Sequence, residues 1–470
     1  MQHRIYTPIL LVLFFLTVSC SGGGESNSPP NIELPNDLKI IATSPVNNAR
    51  DITPPTSITF DFNRALSEQE FNALGIDVYR TNRFDNELIS HGLWMANMRY
   101  FEAPMGHKII EAHRVTLSED KASINIQLPS LYGVDGRFAN NFYEYTVTIN
   151  QQESLKFSSI KNFLEKMGTE DDYSQTIYNY SNDGKLLTTE VYVQNELREK
   201  TSYEHQGEVI RNVYRCDLRG DAEGVFYDDR FERFYDARNR LVKEREYWST
   251  TRSACERNVA SEFIHSVRIR EYLPNRRVRM TEYGSEGADG IWETRDDVVK
   301  RIVELGFNEQ GQLAYRYRKT KSSFDDEVFA YIYTFEYNDE HVLTDSFGYY
   351  GNEKEQIEPV LLPIDDVEYF IKDENRFAHD KMQISDLNII KLDSYSSYFN
   401  SRDKRFIENL RGTLDLNYDN FNRLSSTKDF YEDFGVTESQ FLFDERGLRQ
   451  TIITNEYDLE QTIIREYQSF

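Results

Sequence analysis

Apolar and polar residues alternate along most of this chain. "SITFDF" from Ser57, "ASINIQL" from Ala122 and "YEYTVTIN" from Tyr143 follow the pattern, as do "LTTEVYVQ" from Leu187, "VKEREYW" from Val242 and "AYRYRKT" from Ala314. A period of two predicts β-strands with one face half buried. The runs are short and are separated by clusters of Pro, Gly and Asn, which mark turns. One stretch departs from the pattern. "SLKFSSIKNFLEKMG" carries Leu155, Ile160, Phe163, Leu164 and Met167 at helical spacing, which predicts a short helix within a linker over 153–172.

A second regularity is a recurring phrase: aromatic, polar, two free positions, Gly or Asn, one free position, aliphatic. It reads "YSNDGKL" from Tyr180, "YEHQGEV" from Tyr203, "YDARNRL" from Tyr235 and "FNEQGQL" from Phe307. It returns as "YNDEHVL" from Tyr337, "YDNFNRL" from Tyr418 and "YDLEQTI" from Tyr457. "YLPNRRV" from Tyr272 has Arg at the turn slot, and "FDERGLR" from Phe443 shifts its Leu by one. Between Leu343 and Tyr418 only the degenerate "IKDENRF" from Ile371 appears. Neighbouring copies lie roughly 20 to 37 residues apart, the range of a repeat array.

The phrase has the chemistry of a tight hairpin. The aromatic ends one strand with its ring on the buried face. Asp or Asn caps the turn through its side chain, Gly or Asn supplies positive φ, and the aliphatic residue opens the return strand. A single hairpin cannot bury its own face, so the copies must pair into a continuous sheet.

Two family resemblances follow from these motifs. The phrase is similar to the YD repeat of the RHS family, in which "YDxxGRL" recurs every twenty-odd residues. That resemblance covers 173–470 and implies an antiparallel β-hairpin array. In the family, long arrays coil into a shell that encloses a toxin. Residues 38–152 resemble the bacterial Ig-like domains of surface-layer proteins, with "TSPVNNARDI" as the opening, "ITFDFNRAL" as the next strand and "YTVTI" as the last. The stretch "SHGLWMANMRYFEAPMGHK" fits that pattern less well and reads as an insertion. The expected fold class is therefore all-β, an N-terminal Ig-like β-sandwich followed by a YD/RHS-like array. Such modules space or bind and bring no catalytic machinery of their own.

Composition narrows the function. The 470 residues suit two or three units. Aromatic content of 14% argues against disorder. The net charge of −25, with no basic stripe, argues against nucleic-acid binding. The apolar run after Arg4 is too short to span a bilayer comfortably and sits where a signal peptide sits. "LTVSC" resembles a bacterial lipobox, which implies cleavage after residue 19 and lipidation of Cys20 with palmitate. Residues 20–37, including "SGGGESNSPPN", then form a flexible tether. Ser21, not Asp, follows the Cys, which implies the outer membrane. In that oxidising compartment Cys216 and Cys255 are expected to bridge.

The chain lacks the HExxH, GxSxG and GxxxxGK[ST] signatures. His205, His265 and His341 read as surface or turn residues. "LRGDAEGVFYDDRF" places Asp221, Glu223, Asp228 and Asp229 around a Gly turn, and "SEGADGIWETRDDVV" does the same with Glu286, Asp289, Glu293, Asp296 and Asp297. Grouped carboxylates suit Ca²⁺, and a solvated acidic hairpin is the plainer reading. No other cofactor is implied. Tyr349, Tyr350, Tyr395 and Tyr398 fall where the repeat lapses and suit a loop-borne contact surface. Together these features predict a lipid-anchored, non-catalytic envelope protein that meets a protein or glycan partner. The rivals are an envelope glycan hydrolase using acids of the array and a fragment of a toxin-delivery shell.

Overall fold

The structure is a computed structural model. It describes residues 37–52, 57–81, 88–89, 101–102, 107–129, 144–159, 161–168, 173–218, 228–249, 255, 257, 262–294, 296–321, 328–351, 376–400, 405–431, 435–445, 449–456 and 459–468. Cys20, Asp221, Glu223, Ile371 and Tyr457 lie outside them, with the expected signal peptide and nearly all of the tether.

The fold is all-β. Its N-terminal unit has two sheets on one core. Ile40–Ser44, Ser57–Phe62, Ser123–Gln127 and Arg114–Leu117 form the first, in that order. Ala49–Ile52, Gln152–Ser159, Glu144–Ile149, Ile76–Thr81 and Lys108–Ile110 form the second. The alternation explains the packing. Ile58, Phe60, Ile124 and Ile126 from the first sheet meet Val78, Tyr145, Val147, Leu155 and Phe157 from the second, all buried. The expected linker with its short helix is instead two strands, Gln152–Ser159 and Lys161–Gly168. The helical spacing of its apolar residues is overridden by partners. Phe157 pairs with Tyr145, and Leu164 pairs with Ile177.

From Lys161 onward the chain makes twenty antiparallel strands, each paired with the next, and the last, Leu459–Gln468, pairs back with the first, Lys161–Gly168. The ring is closed, so it has no free edge. Twenty strands about 4.8 Å apart give a round barrel at least ~30 Å wide, whose lumen would be wet. Part of its inner wall, from Val298–Phe307 to Gly435–Phe443, is covered by one apolar cluster. Leu392 and Leu424 are fully buried, and the cluster they belong to runs through Leu305, Phe335, Met382, Leu414 and Phe441. The opposite face of the same strands carries exposed Lys381, Lys428 and Phe430, which identifies the cluster face as the inner one. Deeper on that face Ser346, Asp380 and Ser394 are buried and mutually hydrogen-bonded. Burial pushes the Asp380 carboxyl up to about 6.

The recurring phrase makes the hairpins of one barrel end. Tyr180, Tyr235, Phe307, Tyr337, Tyr418 and Phe443 each end a strand. At Asp236 and Asp419 one carboxylate oxygen accepts the backbone N–H groups two and four residues on. Asn308 and Asn338 do the same with their amide oxygens. The fifth position has positive φ whether it is Gly184, Asn239, Gly311, His341 or Asn422. In both YD copies the Arg closes the turn. Arg240 pairs with Asp236 and lies over the Tyr272 ring; Arg423 pairs with Asp419 and lies over the Phe443 ring. The copy from Tyr272 differs, because its turn is the two-residue Asn275–Arg276 and Tyr272 sits inside the pairing. Through the lapse in the repeat the array continues with another two-residue turn, Asp386–Leu387, in which both residues have positive φ.

The preference for Tyr at the first position has a reason beyond burial. Each phrase whose aromatic ends a strand carries a bulge there, such as Phe234/Tyr235 and Glu336/Tyr337, and the Tyr203 copy carries its bulge at Glu204/His205. A bulge interrupts the ladder, and a donor from the next hairpin reaches the backbone there. The hydroxyls of Tyr235, Tyr272, Tyr337 and Tyr418 donate to the carbonyls of Ile210, Leu241, Leu313 and Ile389 at 2.6–3.1 Å. His205 meets the Leu186 carbonyl in the same way at 2.7 Å. The phrase therefore stitches consecutive hairpins together.

Candidate functional site

Alternate turns of an antiparallel ring share one end, so the phrase turns form a single row. The two-sheet unit docks on that row through its edge strand Lys108–Ile110. Ile109 enters the barrel's apolar cluster beside Leu305 and Phe307, and the Ile110 N–H donates to the Gln310 carbonyl at 3.2 Å. Arg114 pairs with Glu340 at 2.8 Å, and the Asn422 amide donates to the Leu128 carbonyl. Contact is closest at Gly311. A Cβ there would lie 2.2 Å from the Lys108 carbonyl oxygen, and φ is +80°. The glycine the turn needs for its conformation is thus also the glycine the docking needs. Gly311→Ala is expected to cost about 1–3 kcal/mol from backbone strain alone and to loosen the two units. Limited proteolysis between 153 and 172 and a lowered urea midpoint check it.

Three of the eight histidines gather at this junction. His107 packs against Phe307 with the rings tilted at 45° and their centroids 4.2 Å apart, and meets the Gly311 carbonyl at 2.9 Å. His113 lies between the Glu111 and Ile76 carbonyls and stacks on His341 at 5.8 Å. Burial pushes His107 down from its ordinary value, and burial followed by the His113 charge does the same to His341. A base with a depressed folded pKa contributes stability that is complete above about 6.5 and is lost as pH falls through the folded value. Asp229 and Asp380, both pushed up to about 6, act with the opposite sign. Comparison with His107→Gln/His341→Gln isolates the histidine part. The wild type is expected to lose more melting temperature than this variant between pH 7.5 and 5.5.

Beside the docking strand lies a cleft of about 620 Å³. The two-sheet unit supplies Asp77, Tyr79, His107, Lys108 and Thr148 to its wall. The barrel end supplies Arg240, Tyr272, Arg276, Arg277 and Glu309. Arg240 is committed to Asp236 at 2.7 Å, and Arg277 to Glu304 at 3.3 Å. Lys108 and Arg276 are exposed and have no ion pair among the described residues. The Thr148 hydroxyl is buried without a hydrogen-bond partner.

The residues singled out from sequence lie elsewhere. Cys216 and Cys255 form a disulfide with Cα atoms 5.2 Å apart. Asp296 turns onto its own loop, accepting from the Ala288 and Asp289 N–H groups and from Thr294, which together hold its carboxyl at about 2. Asp297 accepts from the Glu293 N–H, and Asp289 from the Ile291 N–H. The side chain of Glu293 reaches back to Lys243 at 2.9 Å and to Arg245, clasping the loop to the barrel wall. Asp228 is buried beside the disulfide, and Asp229 is on a strand 3.8 Å from Arg215. Among the described residues, metal-binding atoms converge at Cys216, Asp228 and Cys255, whose sulfurs are already joined. Tyr349, Tyr350, Tyr395 and Tyr398 are on strands, not loops. Tyr349 is buried against Tyr317 and Ile332, whereas Tyr350 is 54% exposed and stacks on Phe377.

No protein-family model matches the sequence, and no curated protein matches it. Among solved structures, a porin-like protein from Bacteroides uniformis overlaps 55% of this chain and 96% of its own at 11% identity, with a TM-score of 0.26. The Photorhabdus luminescens Tc holotoxin pore overlaps 81% of this chain and 18% of its own at 10% identity, with a TM-score of 0.30. The TcdB2–TccC3 complex overlaps 78% of this chain and 24% of its own at 10% identity, with a TM-score of 0.22. Likeness this slight leaves both architecture and role to be argued from the chain's own residues.

Proposed function

We propose that this is a non-catalytic binding protein of the bacterial cell envelope, held to the outer membrane by a lipid on Cys20. In this reading the N-terminal unit is an Ig-like sandwich and the ring is a closed YD/RHS-like array. The observation that carries the binding role is the docking of one module on the turn row of the other. It fixes a cleft between two packed bodies, and clefts at such boundaries are where ligands bind. The lipobox and the disulfide suit an exported protein.

Labelled palmitate tests the anchor. Label is expected in the outer-membrane fraction with the wild type and not with Cys20→Ala, and an unlabelled wild type would remove the anchor. A screen of the full-length protein against envelope glycans and envelope proteins tests the role. Retention of a partner without turnover supports it. Release of new reducing ends that Asp77→Asn/Glu309→Gln abolishes would replace it with the hydrolase, since those are the two carboxylates of the cleft.

A further inference from the structure

The cleft's lining narrows the ligand, an inference that rests on the binding role above. Four cationic side chains, Lys108, Arg240, Arg276 and Arg277, outnumber the two acids, Asp77 and Glu309. This occurs on a chain of net charge −25, so the cleft runs against the surface around it. Two of the four cations are already paired, Arg240 with the turn carboxylate of Asp236 and Arg277 with the buried strand residue Glu304. The other two, Lys108 and Arg276, stand at the rim from opposite bodies, one on the docking strand and one in a two-residue hairpin turn with φ +55°. His107 adds no charge near neutral pH, because burial keeps it deprotonated.

The rest of the wall is not that of a bare anion site. The volume is several times that of a phosphate or sulfate and falls within the range for ligands of a few rings. Tyr79 and Tyr272 give aromatic surface, and aromatic faces pack against the C–H faces of sugar rings. The Gln151 and Gln310 amides are donors and acceptors of the kind that read hydroxyl groups.

We infer that the junction cleft binds an acidic oligosaccharide, with Lys108 and Arg276 clamping its carboxylate or sulfate groups from the two modules. A bidentate Arg contact suits either group. Because the two cations come from different modules, ligand binding also strengthens the docking between them.

Calorimetry with the full-length protein in detergent tests this. The probes are tetragalacturonate, its neutral methyl ester, a heparin-derived tetrasaccharide and inorganic phosphate. One or both acidic tetrasaccharides are expected to bind, and which is tighter separates carboxylate from sulfate. The methyl ester and phosphate are expected to bind at least tenfold more weakly. Lys108→Glu/Arg276→Glu is expected to weaken acidic-sugar binding at least tenfold. Both side chains are exposed, so the fold and melting temperature should stay unchanged. Rising salt should weaken wild-type binding. Phosphate binding as tightly as the sugars, or the ester equalling the acid, overturns the inference. So does acidic-sugar binding that the double variant leaves intact, although the binding role then stands with its site elsewhere. If no saccharide binds, the inference fails and the protein arm of the screen alone decides the role.

Discussion

Replacing Glu304 with Ala is expected to destabilise the protein by about 3–5 kcal/mol, the cost of stranding a buried charge. Glu304 has no solvent exposure. One oxygen accepts from Arg279 at 2.9 and 2.6 Å, and the other from Arg277 at 3.3 Å and the Tyr315 hydroxyl at 2.8 Å. Arg279 is itself only 4% exposed, so its guanidinium would be left without its carboxylate in a dry site. The arrangement depends on Gly306, because a Cβ there would lie 2.0 Å from the Tyr315 ring that crosses it. Urea denaturation measures the effect. Glu304→Gln should retain part of the stability through hydrogen bonding. A loss under 1 kcal/mol for Glu304→Ala would show that the guanidinium finds water or another acid.

Opening the Cys216–Cys255 bridge is expected to cost about 4 kcal/mol on the chain-entropy account, given the 39-residue separation it closes. The bridge ties the segment after Ser249 to the wall strand Val209–Asp217. Arg257 adds an ion pair with Glu204 at 2.9 Å, and Glu262 pairs with the buried Arg230 at 2.7 Å. Cys216→Ser/Cys255→Ser and wild type under reductant should shift the urea midpoint downward alike, and reductant should not shift the double variant further. A small shift would mean that these ion pairs hold the segment unaided.

Much of the barrel was legible because its information is local. Asp236, Asn239 and Leu241 each do in the turn what their chemistry alone suggests, and the alternation of "SITFDF" is the burial pattern of Ser57–Phe62. What escaped the sequence depends on partners far along the chain. Leu155 and Leu164 suit a helix as well as a strand until Val147 and Ile177 are brought alongside. The polar half of "VKEREYW" reads as a wet face, yet Glu244 is buried because Arg233 and Arg268 reach it from adjoining strands. Burial disfavours its charge, but the three nearby guanidiniums win and hold its carboxyl at about 2. The hydrogen bonds by which Asp289, Asp296 and Asp297 accept backbone N–H groups of their own loop could not be read from the acids' spacing. The junction left no signature. His107 lies in, and Ile109 follows, a stretch that only looked like an insertion, and nothing near Gly311 in sequence announces a contact some 200 residues distant.

The pairing of Lys161–Gly168 with Leu459–Gln468 governs how the protein is made. A ribosome delivers the first lip of this seam long before the second, so the growing sheet waits with a bare strand until Leu459–Gln468 has been made. Contacts this distant in sequence form slowly, and an unpaired strand invites foreign chains. A chain cut short before Leu459 would therefore yield no smaller ring, only an unzipped sheet prone to aggregate, and cells making this protein have reason to shield it until the closing strand arrives.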